Sequence, residues 1–108
     1  MFPNFLRIVM PLALMGMASA PDGPSIAHNG DGHGAPACVL CHGENFQGSP
    51  AIHAPALAGL PQTTILDRLA HYAGPQGHNT TMRQVATALT QPERQAVAAY
   101  LSSLLPAH

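Results

Sequence analysis

Two cysteines and a histidine stand together as Cys38, Cys41 and His42, in a chain of 108 residues with no other cysteine. A fold for this chain must use two thiols about one helical turn apart, with an imidazole directly after the second. Three familiar uses fit poorly. A structural zinc site takes four ligands, commonly as two paired Cys or His spacings, and the remaining histidines supply no matching second spacing. A disulfide across so short a loop is strained and stabilises little. A thioredoxin-like redox pair belongs at a strand-to-helix junction inside a βαβ pattern, and no such pattern is legible here.

The fourth use is covalent haem, for which Cys-x-x-Cys-His is the attachment sequence. Thiols a turn apart can each add to one vinyl group of the same porphyrin edge, and the next residue then brings an imidazole nitrogen under the iron. Two further features agree. The first twenty residues hold one cation, Arg7, then an apolar run over 8–17, then Ala18-Ser19-Ala20. That is the layout of an export signal. The run is about half of the ~20 residues that a spanning helix needs, and Pro11 interrupts it. Residues 1–20 are therefore expected to be a signal peptide, cleaved after Ala18 or Ala20, which directs the protein to the periplasm, where haem is attached. A membrane tether follows only if the signal stays uncleaved. Beyond the signal the aromatic side chains are Phe46, Tyr72 and Tyr100, and no tryptophan is present. A domain this small with so few rings needs a cofactor, metal or disulfide to complete its core, and a macrocycle would fill that role.

Glycine, proline and histidine dominate residues 21–35, without apolar periodicity, so this segment reads as a flexible leader. His28 and His33 within it are weak evidence of metal capture, and a solvated linker is favoured. Residues 36–108 are expected to form one all-α domain, with a compact Gly/Pro-rich loop after the cysteines. Ile65, Leu66, Leu69, Tyr72 and Ala73 share one helical face behind Pro61, and Gly74-Pro75 stops that helix. A short helix is expected over about 83–89. Thr90 and Glu93 fit a capping box, with Pro92 in the first turn of a last helix. Its stripe is Val97, Tyr100, Leu101, Leu104 and Leu105, and Pro106 ends it.

Haem iron in electron carriers is commonly held by His and Met. Met82 is the only methionine outside the signal, and it is expected in a polar loop after His78-Asn79-Thr80-Thr81. A methionine off any apolar stripe suits ligation better than core filling. His78, His71 and His53 are the rival sixth ligands.

Taken together, "CVLCHG", "PALAG", "YAGPQGHNTTM" and "LTQPERQAVAAYLSSL" resemble class I cytochromes c of the short bacterial periplasmic kind, over about 38–105. The resemblance implies a small all-α cytochrome c-like fold of short helices around one haem c. It implies Cys38 and Cys41 as thioether links and His42 and Met82 as axial iron ligands. It further implies that the Pro55 carbonyl orients His42, that Leu57 packs on the ring, and that Asn79 lies in the haem surroundings. Two departures stand out. The usual first helix, with its glycine and aromatic, is expected to be short or missing, which leaves Tyr100 without its customary partner. Gln76 and Gly77 occupy the place of the basic residue that meets a propionate, with Arg83 as a candidate substitute.

The expected function is single-electron transfer between respiratory-chain or dehydrogenase partners, with no small-molecule substrate and no catalysis by the chain itself. Charged residues make up 8% and the net charge is −1, so nucleic acid is not a partner. Docking is expected to be transient and largely apolar. Two alternatives remain: a haem-based ligand binder or sensor with a labile sixth site, and an electron-transfer subunit of a larger dehydrogenase or oxidase.

Overall fold

The computed structural model describes residues 20–106; the signal assigned to 1–20 thus lies almost wholly outside the described residues. Within the described residues, five α-helices and one 3₁₀ turn follow one another: α1 (Gly23–Asn29), α2 (Val39–His42), the 3₁₀ turn Pro50–Ile52, α3 (Gln62–Ala73), α4 (Thr80–Ala88) and α5 (Gln91–Ser102). Among the described residues, β pairing is limited to an isolated antiparallel bridge between Ser49 and Ala54. The expected all-α architecture is present.

The segment read as a flexible leader is where the structure departs most from expectation. Residues Gly23–Asn29 form a short helix. The Asp22 carboxylate accepts from the Ser25 N–H at 3.2 Å, Pro24 lies in the first turn, and Gly30 stops the helix at φ 88°. These are ordinary start and stop signals. Its inward face is only Gly23, Ile26 and Ala27, too small to show as periodicity. The first helix is therefore present and short, and it packs on α5. A Cβ on Gly23 would lie 2.3 Å from the Ala96 carbonyl oxygen. Only glycine permits the two backbones to touch there.

Tyr100 is not left alone. Its hydroxyl lies 3.0 Å from His28 Nε2, and the Phe46 ring meets both edge-on, with centroids 5.2 Å from His28 and 6.1 Å from Tyr100. The histidine set aside as linker fills the aromatic place at the helix crossing.

Helix α3 packs on α4 and α5 through the face read from sequence, with Ile65 and Leu69 buried and Leu66, Tyr72 and Ala73 half-buried. Helix α4 begins three residues earlier than expected, because the Asn79 side chain caps it by accepting from the Met82 N–H at 2.9 Å. Met82 accordingly sits in a first helical turn and not in a loop. The capping box of α5 is formed: the Glu93 N–H donates to Thr90 Oγ1, and the Thr90 N–H donates to the Glu93 carboxylate. This helix ends at Ser102, one turn sooner than its apolar stripe suggests. The Leu101 carbonyl accepts from the Gly59 N–H at 3.0 Å and from the Leu104 N–H at 3.3 Å, so it is not spent on a further α turn. Leu105 is left 87% exposed.

Candidate haem site

Cys38 precedes α2, and Cys41 and His42 lie within it. The turn is short because Gly43 ends it at φ 92°, in the left-handed half of the map that glycine tolerates best, with its N–H on the Val39 carbonyl. Neither cysteine is in a disulfide. Cys41 is exposed, whereas Cys38 is half-buried against the core, and burial pushes its thiol up to about 11.

His42 is the buried polar residue of this core, 6% exposed. Its Nδ1 lies 2.8 Å from the Pro55 carbonyl oxygen. A carbonyl only accepts, so Nδ1 carries the proton and the neutral ring keeps its lone pair on Nε2. That is the tautomer a metal ligand needs, with an outer partner that fixes the ring and raises its basicity. The backbone around Pro55 is pinned on both sides. Ser49 and Ala54 exchange hydrogen bonds of 2.8 and 3.0 Å, and the N–H groups of Leu57 and Ala58 donate to the Phe46 carbonyl. The Gly48 N–H returns to the His42 carbonyl at 2.8 Å. Phe46, 1% exposed and at φ 54°, thus fixes the loop between histidine and proline. The sequence offered only an aromatic in a polar stretch as a signal for it.

The structure brings Cys38, Cys41 and His42 onto one turn and joins His42 to Pro55. It joins Met82 to Asn79 through the cap. Asn79 itself is exposed and serves the backbone. Leu57 and Met82, with Val39, Leu66 and Tyr72, pack half-buried against the core. Arg83 Nη1 donates to the Gly74 carbonyl at 2.6 Å and tethers the α3–α4 connection. His53, His71 and His78 are exposed. Two free thiols, an imidazole with Nε2 available, a thioether and a row of incompletely covered apolar side chains form a donor set that fits a covalently attached haem.

The chain belongs to the cytochrome c family, whose model, described as "Cytochrome c", matches residues 27–105, and the cofactor of that family is covalently bound haem c. It is 38% identical over 72 residues to the thiosulfate dehydrogenase electron acceptor of Thiomonas intermedia, covering 67% of this chain and 33% of that protein. It is 38% identical over 88 residues to cytochrome c-552 of Acidithiobacillus ferridurans, covering 81% of this chain and 37% of the other. Among solved structures it resembles the thiosulfate dehydrogenase of Marichromatium purpuratum, with a TM-score of 0.75 and 32% identity over 79% of this chain and 18% of that one. The chain therefore spans only a third or somewhat more of the curated relatives just named.

Proposed function

We propose that this chain is a periplasmic one-electron carrier, with haem c joined through Cys38 and Cys41 and its iron held by His42 Nε2 and Met82 Sδ. The observation that carries this reading is the His42–Pro55 hydrogen bond, which commits the free lone pair to Nε2. The bound haem supplies a reversible ferric/ferrous couple, and Met ligation and burial favour the ferrous state. The chain supplies the rest. Pro55 holds the imidazole, Leu57 covers apolar ring surface, and Asn79 fixes the turn that presents Met82. With His42 and Met82 both holding the iron, no substrate would need to enter.

Leu40, between the two cysteines, is 73% exposed. An apolar side chain at the attachment turn suits a brief contact with a partner of matching surface, and a net charge of −1 gives weak steering. The relatives named as electron acceptors of thiosulfate dehydrogenase make a dehydrogenase the preferred electron donor. The relatives just named give the sensor reading no support. A second reading, an electron-transfer subunit within a dehydrogenase complex, is favoured by the match to part of a thiosulfate dehydrogenase chain.

The test is the visible spectrum of protein exported together with haem-attachment machinery. The oxidised form is expected to show the weak far-red band of methionine sulfur on ferric iron, and Met82→Ala is expected to remove it. Covalent haem without that band would overturn the Met82 assignment. Stable co-purification with a dehydrogenase would replace the free carrier with the subunit reading.

A further inference from the structure

Away from the attachment turn, the loop that follows α1 meets the first turn of α5. Asp31 is the centre of this contact, and its side chain is 0% exposed. One carboxylate oxygen, Oδ1, accepts from the N–H groups of His33 and Ala35, both at 2.9 Å. The other, Oδ2, receives no hydrogen bond from any protein donor. It nevertheless lies 3.0 Å from His33 Nε2. That nitrogen is 3.1–3.2 Å from both oxygens of Glu93, and a single ring N–H directed at Glu93 cannot also serve Asp31. Among the described residues this buried oxygen meets only the His33 ring and accepts no well-aligned hydrogen bond; a carboxylate oxygen so poorly served is costly, and its position beside two other ligand atoms suits a cation.

We propose that Asp31 Oδ2, His33 Nε2 and a Glu93 carboxylate oxygen form a binding site for a divalent transition-metal ion of the Zn²⁺ class. These atoms all lie within 4.8 Å of one another. A tetrahedral zinc with bonds of about 2.0–2.1 Å needs ligand atoms roughly 3.3 Å apart; the two spacings to His33 Nε2, 3.0 Å from Asp31 and 3.1 Å from Glu93, need only a slight opening, and the two carboxylates lie within 4.8 Å of one another. Half-exposed His33 leaves a path for the ion and a position for water as fourth ligand. One nitrogen and two carboxylates suit zinc better than calcium, which wants six to eight oxygens.

The ligands are held in advance. The Asp31 N–H donates to the Ala35 carbonyl, and Gln84 donates to the Gly34 carbonyl, so the loop is closed on itself and on α4. Glu93 is fixed by the capping box.

The test is titration of the full-length holoprotein with Zn²⁺ alone by calorimetry, alongside thermal melting with and without the metal. Covalent haem consumes both thiols, which removes them as competing ligands. The wild type is expected to take up one equivalent and to melt at a higher temperature with zinc. His33→Ala and Glu93→Gln are each expected to weaken binding by more than about tenfold, the loss that even an outer partner of a metal site can cause. Glutamine retains the capping box, so Glu93→Gln separates lost ligation from lost folding. His71→Ala, a substitution at an exposed histidine elsewhere, is expected to leave uptake unchanged. No uptake, or uptake indifferent to His33→Ala, would overturn the proposal.

Discussion

Where α1 crosses α5, the chain closes on itself: Ala27 and Ala98 are fully buried, Gly23 touches the Ala96 carbonyl, and Phe46 and Leu101 are sealed beneath. By contrast, Cys38, Leu57, Leu66, Tyr72 and Met82 pack against the core but stay only half-buried. The first region needs nothing beyond its own sequence. The second is organised by hydrogen bonds to backbone, at His42, Pro55 and Asn79, and presents unfinished apolar surface. The difference teaches that small side chains close a helix crossing, whereas pinned loops prepare a surface for a large apolar group that the chain does not encode.

Substitutions can separate the two regions. The largest effect is expected on the haem side. His42→Ala should nearly abolish recovery of protein with a normal haem spectrum, measured as absorbance of the purified export fraction. At the crossing, Phe46→Ala should cost about 3–5 kcal/mol in denaturant unfolding of the holoprotein. A cost near zero would mean that the crossing is not self-sufficient. Gly23→Ala should cost about 1–3 kcal/mol, because the added methyl meets backbone that cannot yield, while the haem spectrum below the transition stays unchanged. The smallest effects form a matched pair. Thr90→Ala and Asn79→Ala each remove a helix cap and should each lose about 1 kcal/mol of stability. Only Asn79→Ala should weaken the far-red band. Equal spectral effects from the two caps would show that Asn79 has no special tie to Met82.

How much could be read beforehand follows the same division. Helix α3 and the start of α5 were legible because Ile65 and Leu69, and Thr90 with Glu93, carry periodicity and capping in their spacing. The haem reading of Cys38, Cys41 and His42 needed their spacing together with the export-like first residues and the shortage of core aromatics. Helix α1 was not legible, since its buried face is glycine, isoleucine and alanine and its partner is a backbone; Asp22, Pro24 and Gly30 were the signals that could have marked it. The start of α4 was masked because a polar "HNTT" run reads as loop until the Asn79 side chain is seen to cap it. The pairing of His42 with Pro55 entered only through family resemblance, because a carbonyl acceptor 13 residues away leaves no mark in side-chain pattern. Leu105 misled for a related reason: the hydrogen bond from Gly59 to Leu101 is a long-range event that no local stripe records.

The crossing of α1 on α5 also has a consequence for the order in which the molecule forms. His28 and Tyr100 meet across 72 positions of sequence, so the seam joins the earliest described helix to the last. Loop closure over such a span is slow and brings little reward until nearby contacts exist. On a growing or translocating chain, that seam can shut only after α5 has emerged. Until then the turn that carries Cys38, Cys41 and His42 is held by local bonds alone, and its two thiols stay accessible, as the proposed haem attachment would require.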